Sequence, residues 1–377
     1  MQLGVVICNY NKKDKLLECI KAVSEQKFSD FDLYICDNAS SDGSAGTVIR
    51  EYSLNEYDGN VPEKRFYRGR LGDESEIGLE LIVNAENLGG SGGFNTGLKA
   101  AYKKGYDFLM CVDNDAFLDE NCIQKLIDFL IEHEEAGIAA AKIYHYERPD
   151  TVQNYGQIIN FESFCTEVPD LGRTEDGTMP KFVYSDAVPA CALIIRKEVV
   201  DQIGFMPEEN FLYWDDTEWC TRAREAGWKV ASVGDAKALH CMGAKKEDVN
   251  TFPTYYAWRN WIRYFILHTP EEKLPNMAIT FLTSVYLVQY EGYKGERFQK
   301  AATVMAAYED AVNNVMGKAK DGIIGEIEKD GQNICCDSIK DLPEEFEKGR
   351  EMFVFAHLPG FLRKARAIRN EYQKMTL

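Results

Sequence analysis

The apolar run Phe108-Leu-Met-Cys-Val-Asp113-Asn114-Asp115 ends in two carboxylates at i, i+2 spacing. On an extended backbone such side chains project to the same side. Two carboxylates held together repel each other unless a cation lies between them. Oxygen ligands of this kind suit Mg²⁺ or Mn²⁺, which keep coordination positions open for phosphates. Asp and Asn also favour turns, so read alone the run is more simply a solvated strand-to-turn junction. The rest of the chain has to decide.

A second acidic cluster, Tyr213-Trp214-Asp215-Asp216-Thr217-Glu218, opens a helical pattern over Thr217–Ala226 that stops at Gly227. Acids in a first helical turn are favoured by the helix dipole, which is explanation enough for their presence. The functional reading is a general base: an aromatic wall desolvates a carboxylate, raises its pKa and offers a face on which a sugar stacks. His240 follows a strand-like run, Val230–Val233. A lone His is commonly structural, but here it can complete a metal shell begun by Asp115, a ligand set that accommodates Mn²⁺ as well as Mg²⁺.

The glycine-rich stretch Asn87-Leu88-Gly89-Gly90-Ser91-Gly92-Gly93 follows a strand and opens a helix. Its backbone N–H groups can approach a diphosphate or a sugar, helped by the helix dipole. Alternatively the glycines let the helix pack tightly. It is neither a Walker A loop nor a good dinucleotide fingerprint.

Strands over Leu3–Cys8, Phe31–Cys36, Leu81–Asn84 and Phe108–Val112 alternate with helical periods over Asp14–Gln26, Gly93–Lys104 and Asn121–Glu132, the last with Ile123, Leu126, Ile127, Leu130 and Ile131 inward. This alternation implies βαβ units and a largely parallel, doubly wound sheet, with ligands beyond the carboxyl ends of the strands. Residues 54–78 are polar and read as an inserted loop or excursion, and 145–182 as a long polar connection between strands Ala139–Tyr144 and Ala190–Arg196. Beyond Pro253 the pattern is helical, with amphipathic stretches at 255–268, 276–290 and 297–316, a polar segment at 317–345 and a basic last helix over 350–374. Two domains are expected: residues 1–252, and a helical region 253–377 with an acceptor, oligomer or membrane-surface role.

The net charge of −18 argues against nucleic acid as a partner, since phosphate backbones are met by an excess of Lys and Arg. Eleven cysteines with no C-x-x-C, Cys335-Cys336 being the one close pair, give no zinc pattern and suit a reducing cytoplasm. The N-terminal residues run directly into a strand and no window reaches 18 uninterrupted apolar residues, so neither a signal peptide nor a transmembrane helix is expected. The stretch near Met277–Tyr290 and the basic tail (Arg363, Lys364, Arg366, Arg369) can touch anionic lipid, or pack on each other, or build a dimer.

Taken together, Val5-Val6-Ile7-Cys8-Asn9-Tyr10-Asn11, Ile35-Cys36-Asp37-Asn38, Asn87-Leu88-Gly89-Gly90, Val112-Asp113-Asn114-Asp115, Tyr213-Trp214-Asp215-Asp216-Thr217-Glu218, His240 and Tyr255-Tyr256-Ala257-Trp258-Arg259-Asn260 resemble family 2 glycosyltransferases of the GT-A fold, over roughly residues 1–265. The glycine-rich segment and the Trp-Asp-Asp-x-Glu run are most similar to the galactofuranosyltransferase and rhamnosyltransferase branch. The resemblance implies an α/β, GT-A type, Rossmann-like, mostly parallel sheet flanked by helices, with a helical C-terminal extension. It implies that Asp37 contacts the nucleotide base, with Asn9 and Asn11 lining the same pocket, and that Asp113 meets the ribose. Asn87, Gly89, Gly90 and Asn114 join the nucleotide-sugar site. Asp115 and His240 hold Mn²⁺ or Mg²⁺, Asp216 is the base with Asp215 as the alternative, and Tyr213, Trp214 and Glu218 line the sugar or acceptor. Two departures stand out. Asn114 occupies the middle of the triad where relatives often carry Asp, and Asp215-Asp216 replaces the commoner Glu-Asp.

The implied reaction is metal-assisted single displacement, with inversion, from a UDP- or dTDP-sugar to a hydroxyl of a cell-surface glycan or lipid-linked acceptor. Its setting would be the cytoplasm or the inner face of the membrane. A sugar nucleotidyltransferase is disfavoured because Asn9-Tyr10-Asn11-Lys12-Lys13, directly after the first strand, lacks glycine. A non-catalytic nucleotide-sugar-binding module is the remaining alternative.

Overall fold

The strand β1 (Leu3–Asn9) divides its side chains between two hydrophobic layers, as a central strand covered on both faces must. Leu3, Val5 and Ile7 enter one layer with Leu16, Ile20, Leu33 and Ile35, while Val6 enters the other with Phe94, Leu98, Leu109 and Trp219. The protein is described here from a computed structural model covering residues 2–72, 76–241, 248–249, 251–295, 297–320, 322–323, 328–329 and 344–376. Cys335-Cys336 and most of the polar segment 317–345 lie outside the described residues.

Two compact units divide the chain: Met1–Ile159, Thr166–Phe211 and Asp215–Met242 form one, and Asn160–Cys165, Leu212–Trp214 and Gly243–Leu377 the other. In the first unit, β1 leads through α1 (Lys13–Ser24) to β2 (Phe31–Asp37) and α2 (Ser44–Glu51). Residues 54–78 are not a plain loop. They go out as β3 (Asn55–Tyr57) and return as β4 (Lys64–Arg70), antiparallel to β5 (Gly78–Asn84), so the excursion extends the sheet edge. The long helix α3 (Gly89–Lys104) then crosses to β6 (Phe108–Asp113) on the other side of β1.

The strands β5, β2, β1 and β6 are mutually parallel, giving the expected doubly wound core with its switch point at β1. Antiparallel pairings extend this core on either side. Next come β7 (Ala116–Leu118), α4 (Cys122–Glu132), β8 (Ala136–His145) and β9 (Arg148–Asn154). They are followed by β10 (Phe182–Ser185), β11 (Ala192–Arg196), α5 (Lys197–Ile203), α6 (Asp215–Glu225) and β12 (Lys229–His240). The sheet has 12 strands in the order β10-β12-β8-β11-β6-β1-β2-β5-β4-β3, with β7 on β12 and β9 on β8. Part of the stretch read as a polar connection is therefore the strand β9. In α4, Ile123, Leu126, Ile127 and Leu130 are buried as expected, but Ile131 is 45% exposed although it continues the i, i+3, i+4, i+7, i+8 spacing, because Cys122 and Phe129 are buried too and centre the packed face on the other side of Leu126.

Helix α3 packs closely on the side chains of β1. A Cβ at Gly97 would come within 2.3 Å of Val6 Cγ1, so only glycine permits this approach. Four glycines in the first five positions of α3 cost about 4 kcal/mol of helix propensity relative to alanine, which burial on the sheet must offset.

The second unit is built on α7 (Thr251–His268), α8 (Leu274–Lys294), α9 (Phe298–Val312) and α10 (Glu344–Thr376). Its core includes Tyr255, Phe265, Met277, Phe281, Val285, Val304 and Phe361. Arg259 is fully buried, lies over the rings of Tyr255 and Tyr256 and donates to Gly317 O at 2.6 Å. Among the described residues no helix is long and apolar enough to cross a membrane.

Candidate active site

Parallel register brings the polar ends of the core strands to one edge: Asn9 pairs with Asp37 and Cys8 with Asp113. Asn9 is fully buried and ties this edge together. Its Nδ2 donates to Asp37 Oδ1 at 2.9 Å and to Ser40 Oγ at 3.1 Å, and its Oδ1 accepts from Asn114 Nδ2 at 2.7 Å. The carboxylate of Asp37 can only accept, so the amide of Asn9 must face it and its carbonyl must face residue 114. Residue 114 must then donate, and an amide does so where a carboxylate could not. Asn114 is thereby accounted for as part of the buried framework.

Asp37, with Ser40 N donating to its Oδ2 at 3.0 Å, opens on a cavity of about 430 Å³. Its far wall is Pro62, Glu63, Lys64 and Arg65, supplied by the excursion, with Val83 and Asn84. Asn11 holds the rim by accepting from Ser41 N at 2.7 Å.

Asn38, almost completely buried, uses all four of its hydrogen-bonding positions. Its amide donates to Asn87 Oδ1 and Gly89 O, and its carbonyl accepts from Asn84 Nδ2 and Leu88 N. Asn87 in turn accepts from Gly89 N at 2.8 Å, and Gly90 N donates to Phe211 O at 2.7 Å. At Gly89, φ is +78° and a Cβ would lie 2.0 Å from Phe211 O, so no other residue fits. The N–H groups of Gly89 and Gly90 are thus engaged inside the protein, and Gly89 permits the close approach of Phe211.

Asp113, Asp115 and His240 converge. One ligand atom from each lies within 4.8 Å of the others, with His240 Nε2 3.6 Å from Asp113 Oδ2 and 3.5 Å from Asp115 Oδ1. The strand β12 runs on past Val233 to pair His240 with Ala116 of β7, which carries the imidazole to Asp115. His240 Nδ1 meets Gln153 Oε1 of β9 at 2.7 Å, so Nδ1 holds the proton and Nε2 faces the carboxylates, the arrangement of a metal-ligating imidazole. Ligands sharing one octahedral Mg²⁺ or Mn²⁺ stand roughly 3–4 Å apart, and this oxygen, oxygen, nitrogen set fits.

A cation is already present. Lys12 Nζ lies 2.5 Å from Asp115 Oδ2. Burial pushes the Asp115 carboxyl up, but hydrogen bonds from His240 and Lys12 outweigh it and hold the group below the usual carboxylate range. Asp113 is pushed up to about 6 by burial, opposed by His240 and reinforced by Asp115. Burial lowers His240, yet the two carboxylates prevail and raise it.

The acids at the start of α6 differ from each other. Asp216 is fixed: its Oδ1 accepts from Thr217 N at 2.7 Å and its Oδ2 from Ala190 N at 3.2 Å. Burial raises it above the ordinary range against these bonds. Burial, and then the charge of Asp216, push Asp215 up to about 7. Glu218 is buried. Tyr213 and Trp214 belong to the second unit, each with φ of +64°, a backbone region such residues rarely adopt. Asn260 Nδ2 donates to the carbonyls of Leu212 and Tyr213 at 2.8 and 3.0 Å, and the Trp214 ring packs on Tyr264 at 5.1 Å between centroids.

Residues 4–204 match the family described as Glycosyl transferase family 2, more than half of the chain. The chain belongs to this family. Curated relatives of this family 2 chain include the dTDP-rhamnosyl transferase RfbF of Shigella flexneri, 26% identical over 178 residues, 47% of this chain and 56% of the relative. Galactofuranosyltransferase GlfT2 of Mycolicibacterium smegmatis is 25% identical over 216 residues, 53% of this chain and 32% of the relative. The family 2 chain thus spans about half of the first and a third of the second. Among solved structures, S. aureus TarS 1–349 in complex with UDP-GlcNAc aligns with a TM-score of 0.52 at 14% identity, over 99% of this chain and 92% of TarS 1–349. GalNAc-T7 with UDP, GalNAc and Mn²⁺ gives 0.51 at 12% identity, over 71% and 48% of the two chains. These likenesses bear on the fold, and the GT-A type architecture expected from the sequence is present.

Three residues of this family 2 site escape the sequence reading. Lys12 is one position past the Asn9-Tyr10-Asn11 motif. Gln153 lies in a stretch read as a connection, and Lys64 in one read as an inserted loop or excursion. Only the sign of charge beside Asp113 and Asp115 could have pointed to Lys12.

Proposed function

We propose that this glycosyltransferase moves a sugar from a UDP- or dTDP-linked donor to an acceptor hydroxyl by inverting single displacement. The observation that carries the reading is the convergence of Asp113, Asp115 and His240 at the strand edge that also holds Asp37. The Asp37 cavity would take the nucleobase, and Asp113 the ribose. Asp115 and His240 would hold Mn²⁺ or Mg²⁺, and a bound cation would neutralise charge on the departing diphosphate.

In the transfer itself, the acceptor oxygen bonds to the anomeric carbon as the bond from that carbon to the diphosphate oxygen breaks. The acceptor proton passes to Asp216, whose orientation is set by Thr217 and Ala190. Displacement by one nucleophile inverts the anomeric centre. Tyr213 and Glu218 are the proposed sugar or acceptor contacts. The names of the two relatives favour a rhamnosyl or galactofuranosyl donor, and the acceptor would be a glycan or a lipid-linked saccharide.

The test is to incubate the protein with Mn²⁺ and a panel of UDP- and dTDP-sugars and to measure nucleoside diphosphate released. Release with one or a few donors, abolished by Asp115→Ala, supports the reading. Tight nucleotide binding with no turnover for any donor and acceptor would sink it in favour of a binding module.

A further inference from the structure

We propose that the outer face of α10 between Met352 and Arg363 is a docking surface for an anionic lipid bilayer. This inference stands apart from the transfer chemistry and uses none of its residues. Helix α10 buries Phe346, Phe361, Ala365 and Ile368, and the Phe353 ring packs on Tyr286 of α8 at 5.5 Å. That stripe is the face by which the helix joins its unit. The opposite stripe carries Met352, Phe355, Ala356 and Pro359, all exposed. Phe355 is 85% exposed, the most of any large apolar side chain among the described residues, and Met352 is 73% exposed.

The next turn is basic. Between Glu351 and Glu371 the chain has Arg363, Lys364, Arg366 and Arg369 and no acid, although the whole chain carries −18. Arg366 pairs with Glu271, and Arg369 donates to the Ile266 and Thr269 carbonyls, so these two hold the helix in place. Arg363 is exposed on the outer stripe, and Lys364 is half-buried at its flank beside Phe361 and Ile368; among the described residues neither has an ion-pair partner. Exposed apolar side chains followed by unpaired cations are the two signals that peripheral attachment to anionic lipid requires. A second copy is the poorer occupant, because pairing through the same face would bury Arg363 against a stretch, 352–370, that offers no carboxylate to meet it.

The test uses the full chain in vesicle cosedimentation. Phosphatidylcholine vesicles with about one third phosphatidylglycerol should retain it about tenfold better than phosphatidylcholine alone, and high salt should weaken the binding. Met352→Ser with Phe355→Ser, and separately Arg363→Glu with Lys364→Glu, should each lower partitioning about tenfold while leaving thermal unfolding unchanged. Equal retention on both vesicle types, or retention untouched by either pair of substitutions, overturns the proposal. So does self-association by light scattering that the serine pair abolishes in a chain that ignores vesicles. A failed transfer assay has no bearing on these readouts.

Discussion

Lys12 Nζ sits 2.5 Å from Asp115 Oδ2, so an ammonium from the turn after β1 occupies the carboxylate proposed to bind the metal. It answers in part the repulsion that two carboxylates at i, i+2 must otherwise suffer. The Lys12 side chain is 45% exposed, which limits the pair to about 1 kcal/mol or less. Lys12→Met should therefore tighten Mn²⁺ binding to the nucleotide-free protein by about three- to fivefold, because a competing cation is gone. Titration followed by Mn²⁺ paramagnetic resonance reads this directly. Unchanged or weaker affinity would show that the ammonium does not compete.

Asn114→Asp isolates the framework role of the middle residue. It sets a carboxylate against the carbonyl of Asn9, or forces Asn9 to turn its amide away from Asp37. Either outcome leaves buried polar groups mismatched and should cost about 1–3 kcal/mol in urea denaturation. Wild-type stability in this variant would mean that Asn9 is free to rotate.

The sequence made the core strands, the helices and the acid positions legible because burial on both faces and helical periodicity are local signals. Asp37, Asp113, Asp115 and His240 were placed by motif, and the fold does bring them to one edge. What was not legible depends on pairing between distant segments. The partners that orient His240 and neutralise Asp115 are Gln153 and Lys12, ordinary polar residues whose meaning arises only from strand register. The polar residues 62–65 gave no hint that they would wall the Asp37 cavity, since β4 pairs by returning antiparallel along β5. For Gly89 and Gly90 the composition fitted a phosphate cradle and a packed helix alike. The packing on Phe211 arises from a segment more than a hundred residues away and has no local signal.

Close packing of α3 gives a direct test at Gly97. Gly97→Val must displace Val6 or lift the helix, since even a Cβ there falls 2.3 Å from Val6 Cγ1. Overpacking of this kind typically costs about 1–3 kcal/mol, and more where backbone has to move. Thermal unfolding should fall by several degrees or the protein should fail to accumulate. Gly46→Ala on the surface helix α2, where a Cβ meets only the far end of Arg50 at 3.5 Å, serves as the control that should not.

The two acids of α6 divide between base and neighbour, and amide substitution separates them. Asp216→Asn should lower kcat by about a hundredfold or more while leaving donor affinity within about twofold. Asp215→Asn should keep more activity, because the hydrogen bonds from Thr217 and Ala190 that orient Asp216 are untouched. In the native protein, activity should fall on the acid side of the profile as Asp216, raised above the ordinary carboxylate range by burial, takes up its proton. The reverse ranking of the two variants would make Asp215 the base.

Stability responds to the same pair with a defined sign. Asp215 holds its proton up to about 7 when folded, against the ordinary carboxylate range when unfolded, because burial and Asp216 oppose its charge. The folded protein therefore binds the proton more tightly. Its contribution to stability is complete below the unfolded pKa and is lost as pH rises through about 7. Asp113 and Asp216, both raised, act in the same direction. Replacing Asp215 by Asn removes one of these charges, so Asp215→Asn should be more stable than wild type at pH 8 by about 1–3 kcal/mol. The gain should shrink as pH falls and vanish below about pH 4. Paired thermal melts across that range check it. A variant less stable than wild type at high pH would mean that the ionised Asp215 is held by groups that favour its charge.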